Sequence, residues 1–149
     1  MEAIEIKLYQ YPEYKRRIEE QEKQIAELMD KKDALAERML RGQNLDAVRV
    51  MGGLTSDPVF VAVQKVVDVY GARIDAIRKE IVDLYYLSDD IMRIVNNAGL
   101  TEAEREYIQY RYFDGRRASQ TAAKMGYSED HARKIKRSAI AKIRPLLAR

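Results

Sequence analysis

Two long helical stretches constrain the fold of this chain more than any other feature. From Glu13 to Arg41 there is neither glycine nor proline, and apolar residues recur at three-, four- and seven-residue spacings. From Pro58 to Asn97 the same alternation continues over about five heptads, with Ser88 as its polar interruption. A helix with so narrow an apolar stripe needs a partner in water. We therefore predict an all-α protein that begins with a long antiparallel helical hairpin of the coiled-coil type.

Proline and glycine indicate where the predicted helices begin and end. A short first helix is expected to end before Pro12, where a new helix can begin. Gly42 ends the first long helix and opens a connector over residues 42–56. Asp57 as N-cap, with Pro58 at the first helical position, then begins the second long helix.

The region 1–99 is predicted to be a helical hairpin that also mediates oligomerisation. Its second helix outreaches the first, which leaves apolar positions near its end for a second chain or for the C-terminal module. A homo-oligomer is favoured, and a monomeric bundle that uses the N-terminal segment is the alternative. The predicted oligomerisation seam consists of Val63, Val67, Tyr70, Ile74, Ile77, Ile81, Leu84 and Ile91.

The region 100–149 has the pattern of a small trihelical helix-turn-helix module. Thr101 and Glu104 form a capping box, with Leu100 as its hydrophobic staple. Gly126 suits a sharp turn because glycine reaches positive φ easily, and Tyr127 is expected to fill the core behind it. Helices are predicted at about 102–113, 117–125 and 129–147. The predicted core consists of Leu100, Ile108, Tyr112, Phe113, Ala122, Met125, Ala132, Ile135, Ala139, Ile140 and Ile143.

Charge is divided unevenly between the two regions. Residues 115–149 contain ten Lys and Arg against two acidic residues, whereas residues 1–114 contain 17 basic and 22 acidic residues. A module of net charge +8 on a body of net charge −5 is the distribution expected of a polyanion binder. The alternative is a solvated basic helix without a partner.

A helix-turn-helix protein reads DNA with its second helix, whose N-terminal residues lie in the major groove. Arg133 and Arg137 stand one turn apart and each can offer a bidentate fork to guanine. Lys134 and Lys136 suit phosphates. Glu129 and Asp130 either favour the helix dipole or contact cytosine amino groups. The predicted DNA-binding residues are Arg116, Arg117, Ser128, His131, Arg133, Lys134, Lys136 and Arg137.

Other function classes find little support in the sequence. His131 is the only histidine and there is no cysteine, so we expect no metal site and no cofactor. No nucleophile–base pair or phosphate-cradling loop stands out, and an enzyme is not expected. No stretch approaches the roughly 18 apolar residues of a membrane span, and the N-terminus lacks a secretory signal. We expect a cytoplasmic protein that does not bind membranes.

The pattern L-T-x-x-E-R-x-x-I-x-x-R-Y-F-x-G from Leu100, followed by A-x-x-M-G-Y-S, resembles region four of bacterial sigma factors. In detail it is similar to the RinA/ArpU-type phage transcriptional regulators, in which a helical half precedes this module. The resemblance implies activation of late phage genes in a bacterial host, with double-stranded DNA and RNA polymerase as candidate partners. It also implies that Ser128 caps the recognition helix, whose DNA-facing residues are His131, Arg133, Lys134 and Arg137.

Some residues depart from that pattern. Arg116 and Arg117 stand where an apolar residue and a capping serine are usual, Thr121 replaces a core aliphatic residue and Ala132 a β-branched one. These changes predict a weaker core. No counterpart of the −10-reading sigma region is visible, which favours an activator or partial sigma-like factor. A phage small terminase subunit that binds packaging-site DNA, or a coiled-coil adaptor with non-specific DNA binding, are the alternatives.

Overall fold

A computed structural model describes residues 1–41 and 58–147 of the chain. Within these ranges the fold is all-α, as predicted, and contains no strand. The predicted connector over residues 42–56 and the Asp57 cap lie outside the described residues. No helix within the described ranges is long and apolar enough to traverse a bilayer. The described residues form the α-helices α1 (Ala3–Arg41), α2 (Pro58–Asn97), α3 (Glu102–Ile108), α4 (Ala118–Met125) and α5 (Glu129–Leu147).

Helix α1 continues through Pro12, so the predicted break at this proline is wrong. A proline inside a helix removes one backbone hydrogen bond and costs about 3 kcal/mol. Here Ile4 and Leu8 before the proline and Ile18 after it are all buried. Burial on both sides of Pro12 therefore stabilises one continuous helix where local propensity favours two.

The chain forms two compact units, and each contains part of α1 and α2. The first, which we call the terminal unit, comprises Met1–Ile18 and Asp83–Arg149, and the second, the hairpin unit, comprises Glu19–Val82. The predicted boundary between residues 99 and 100 divides the chain differently. It leaves the start of α1 and the end of α2 outside the C-terminal module, although both pack within the same unit as that module.

The hairpin unit pairs α1 with α2 through the predicted apolar stripes. Gln21 Nε2 donates to Glu80 Oε2 at 2.8 Å across the pair. Ile74, Ile77 and Ile81 are buried. Val63, Val67 and Tyr70 are half-buried, as are Ile25, Leu28, Leu35 and Met39 on α1. The buried part of the predicted seam is thus closed within one chain, while its use between chains stays a prediction.

The terminal unit has a core to which each of the described helices contributes. Lys7 Nζ lies 3.2 Å from Asp90 Oδ2, and Lys15 Nζ lies 5.6 Å from the centre of the Tyr85 ring, so α1 and α2 run antiparallel here. The apolar positions near the end of α2 belong to this core. They therefore pack against the C-terminal module, one of the two partners that the sequence allowed for them. The core residues are Ile4, Leu8, Ile91, Ile94, Val95, Leu100, Tyr107, Ile108, Tyr112, Ala122, Ala132, Ala139, Ile140 and Ile143.

Helix α3 begins as predicted and then changes its winding. Thr101 Oγ1 accepts from the Glu104 N–H at 3.2 Å, and the Thr101 N–H donates to Glu104 Oε1 at 3.1 Å, which completes the capping box. The predicted helix over 102–113 is α-helical only to Ile108, because Gln109–Phe113 is π-helical. In this wider segment the Asp114 N–H donates to the Gln109 carbonyl at 2.8 Å.

Candidate nucleic-acid interface

The α4–α5 pair has the geometry of a helix-turn-helix. Gly126 ends α4 with φ at 77°, a left-handed conformation that glycine adopts at little cost. The Tyr127 N–H donates to the Ala122 carbonyl at 3.0 Å and closes the turn. Ser128 Oγ then accepts from the His131 N–H at 3.2 Å, which caps α5. The turn and the cap together set the direction in which α5 leaves α4.

The residues that depart from the sigma-like pattern are accommodated locally. Thr121 is fully buried, and its hydroxyl donates to the Arg117 carbonyl at 2.9 Å, so its burial leaves no unpaired polar group. The Arg117 N–H donates to Gln120 Oε1 at 3.0 Å, so a glutamine side chain caps this helix end. The hydrogen bond thus removes the cost of burying an unpaired hydroxyl at Thr121, while the weaker core stays a prediction.

The outward face of α5 carries a row of basic side chains. Arg133, Lys134 and Arg137 are exposed, whereas Ala132, Ala139, Ile140 and Ile143 on the opposite side are buried. Arg133 Nη2 lies 3.3 Å from Asp130 Oδ1, an exposed pair that costs little to separate. The structure thus brings three of the predicted DNA-binding residues onto one exposed helix face.

His131 is also exposed, and its ring packs edge-on against Tyr127 with centroids 4.6 Å apart. The prediction that Tyr127 fills the core is wrong, because this side chain is 40 % exposed. Its ring packs against the start of α5 instead.

Lys136 lies on the side of α5 that packs against the start of α1. Its Nζ is 2.9 Å from Glu5 Oε1, and the Tyr112 hydroxyl donates to the same oxygen at 2.9 Å. The Glu5 side chain is only 13 % exposed. The structure therefore gives Lys136, predicted to contact phosphate, a carboxylate partner within the chain.

The predicted backbone-contacting residues before α4 differ in their surroundings. Arg117 is exposed at the start of the helix. Arg116 is half-buried, and its guanidinium lies 5.5 Å from the centre of the Tyr110 ring. Of the two, Arg117 is the more accessible to a ligand.

The carboxylates of Glu5 and Glu104 in the terminal unit both have a pKa below the ordinary value of glutamate. Burial acts to raise the pKa of Glu5, but hydrogen bonds from Lys136 and Tyr112 outweigh it and lower the pKa to about 2. Burial likewise opposes ionisation of Glu104, yet hydrogen bonds from Lys142 and Thr101 lower its pKa below the ordinary value. Lys142 Nζ lies 2.5 Å from Glu104 Oε1.

We expect the terminal unit to lose stability as the pH falls below about 4.5, the ordinary pKa of a glutamate. Since the folded-state pKa values of Glu5 and Glu104 are depressed, the unfolded chain takes up these protons first, and protonation favours unfolding. Thermal melts between pH 7 and pH 2.5 measure the loss. Glu5→Gln should show a shallower pH dependence, and an unchanged slope would contradict the role of this carboxylate.

Comparison with known proteins agrees with this geometry. Residues 98–145 match the family described as Sigma-70, region 4. No curated protein sequence and no solved structure matches the chain. The matched range contains α3, α4, the turn at Gly126 and the exposed basic face of α5. Residues 98–145 are therefore similar to sigma-70 region 4, and this similarity supports a DNA-binding helix-turn-helix module in this part of the chain.

Proposed function

We propose that this protein is a sequence-specific transcriptional regulator that binds double-stranded DNA with α5 in the major groove. The observation that carries the proposal is the exposed row Arg133, Lys134 and Arg137 on the helix after the Gly126 turn. The two arginines would contact guanine edges in the groove, and Lys134 would contact a phosphate. Arg117 would contact the backbone beside the groove.

We further propose that the protein is a phage or prophage late-gene activator that acts in the cytoplasm of a bacterial host. The support is the order of the chain, in which a helical half precedes the sigma-like module, as in the RinA/ArpU-type regulators. The protein would act by binding DNA, without catalysis, cofactor or metal. The small terminase subunits usually place the DNA-binding module before the oligomerising helices, the reverse of the order here.

A groove on the terminal unit supports a contact with RNA polymerase. Met92, Val95 and Phe113 contribute apolar lining to an open cavity of about 280 Å³ between the end of α2 and the α3 segment. Arg105 and Glu106 add polar groups to its lining. An apolar side chain of a partner, surrounded by polar contacts, would fit such a groove.

Self-association is also proposed, through the hairpin unit. Ile74, Ile77 and Ile81 are already buried within one chain, but Val63, Val67 and Tyr70 are only half-buried. These three positions leave apolar surface that a second copy would cover. Sedimentation equilibrium of the intact chain measures the oligomer number directly.

The proposed function is tested by selecting bound fragments from the source genome at near-physiological salt and sequencing them. Enrichment of one short site upstream of a gene cluster is the expected result. Enrichment within a packaging site would favour the terminase alternative. Recovery of all fragments alike would contradict sequence-specific binding and favour the adaptor alternative.

A further inference from the structure

Glu2, just before α1, and Glu5, in the first turn of α1, place two carboxylates against the basic helix α5. Glu2 Oε2 lies 2.9 Å from Arg144 Nη2, and Glu2 Oε1 lies 3.1 Å from the same nitrogen. Glu5 Oε1 lies 2.9 Å from Lys136 Nζ. Lys136 and Arg144 are about two helical turns apart, so the two acidic residues cover one flank of α5.

This acidic flank adjoins the face proposed to read DNA. An open cavity of about 410 Å³ lies beside α5, lined by Glu2, Glu5, Arg133, Lys136, Arg137, Ile140 and Arg144. The two arginines proposed to contact bases therefore line the same cavity as the two carboxylates. A phosphate of bound DNA that approached Arg144 would meet the Glu2 carboxylate there.

A carboxylate and a phosphate oxygen compete for the same cationic donors, because both form charge-assisted hydrogen bonds with them. A cation already paired within the chain contributes less to the counterion release that dominates DNA affinity. The acidic flank should therefore lower the number of phosphate contacts that α5 makes.

The two pairs differ in how easily they separate. The Glu2 and Arg144 side chains are 55 % and 59 % exposed, so solvent screens their attraction. Glu5 is largely buried and also accepts from the Tyr112 hydroxyl. The Glu2–Arg144 pair can therefore open on contact with DNA, whereas the Glu5–Lys136 pair stays closed.

We infer that Glu2 competes with backbone phosphate for Arg144 and thereby lowers the affinity of the protein for DNA of any sequence. This inference rests on the proposed function. Glu5 withholds Lys136 from phosphate in the same way but more firmly. The choice of site stays with Arg133 and Arg137, since phosphate contacts add to binding about equally on all sequences.

The test is the salt dependence of binding by the full-length Glu2→Gln variant, measured on a random-sequence duplex and on the selected site. We expect binding about 3- to 10-fold tighter than wild type at low salt on both duplexes. The slope of log K against log salt should steepen by about 0.9, the value for one added phosphate contact. The ratio of the two affinities should stay unchanged.

A matched control separates this local effect from a change in net charge. Asp75→Asn also removes one carboxylate paired with an arginine, since Asp75 Oδ1 lies 3.5 Å from Arg78 Nη1 on α2. It should change neither affinity nor slope. Arg144→Gln should have little effect alone but should abolish the gain in the Glu2→Gln background, a non-additivity that identifies the pair.

The outcomes distinguish this inference from the proposed function. Equal effects of Glu2→Gln and Asp75→Asn, or a gain that survives Arg144→Gln, would overturn the inference. If no variant prefers the selected site, sequence-specific recognition fails while the Glu2 effect is still measured on random DNA. If the wild-type protein binds no DNA, both fail.

Discussion

Replacing Leu8 with alanine is expected to destabilise the terminal unit by about 2–5 kcal/mol, and to weaken DNA binding with it. Leu8 stands near the start of the chain, far in sequence from the helix-turn-helix. Its side chain is nevertheless 2 % exposed within the core that also contains Ile91 and Ile143. Removal of its branched side chain would leave a cavity beneath α5. Urea denaturation followed by circular dichroism measures the loss of stability.

The same substitution elsewhere on the same helix provides the control. Leu40 is 50 % exposed, so Leu40→Ala should change stability by no more than about 0.5 kcal/mol. Equal destabilisation by the two variants would show that the start of α1 does not belong to the core of the terminal unit. DNA affinity is measured for both variants. A loss confined to Leu8→Ala shows that the effect is specific to the terminal unit and is not a general loss of helix.

Replacing Arg133 or Arg137 with alanine is expected to reduce the preference for the selected site over random DNA by about 10- to 100-fold. This corresponds to about 1–3 kcal/mol for one bidentate contact to a base. Both side chains are exposed, so the far-ultraviolet circular dichroism should stay native. Competition binding with labelled site and unlabelled random duplex measures the preference.

Arg78→Ala is the matched control, because Arg78 is exposed on α2 and pairs with an aspartate three residues earlier, as Arg133 does. It should leave the preference unchanged. Lys134→Ala should instead weaken binding to all sequences alike and reduce the salt slope by about 1. If the two arginine variants also weakened all sequences alike, their assignment to base contacts would be wrong.

Local chemistry made much of the terminal unit predictable. The capping box of Thr101 and Glu104, the left-handed turn at Gly126 and the Ser128 cap each depend on residues close together in the chain. The two long helices follow from apolar spacing in the same way. A pattern of this kind also separates the buried side of α5 from its exposed basic side.

Other features could not be predicted because they depend on residues distant in sequence. Tyr112 and Glu5 form a hydrogen bond across 107 positions of the chain, and no local rule pairs them. The apolar spacing of Ile4 and Leu8 was a usable signal for a buried helix face, but it does not say what the face packs against. For the same reason the sequence predicted a phosphate contact for Lys136, whereas in the structure this side chain pairs with Glu5 on α1.

The amino-acid sequence by itself determined the all-α class, the caps at Thr101 and Ser128, the turn at Gly126 and the basic face of α5, because each depends on spacing or turn chemistry within a few residues. The tertiary structure alone decided that α1 continues through Pro12 and that its first turns complete the core around the helix-turn-helix. It also decided that Glu2 and Glu5 pair with Arg144 and Lys136. These outcomes depend on burial and charge pairing between chain ends, which local propensity does not determine.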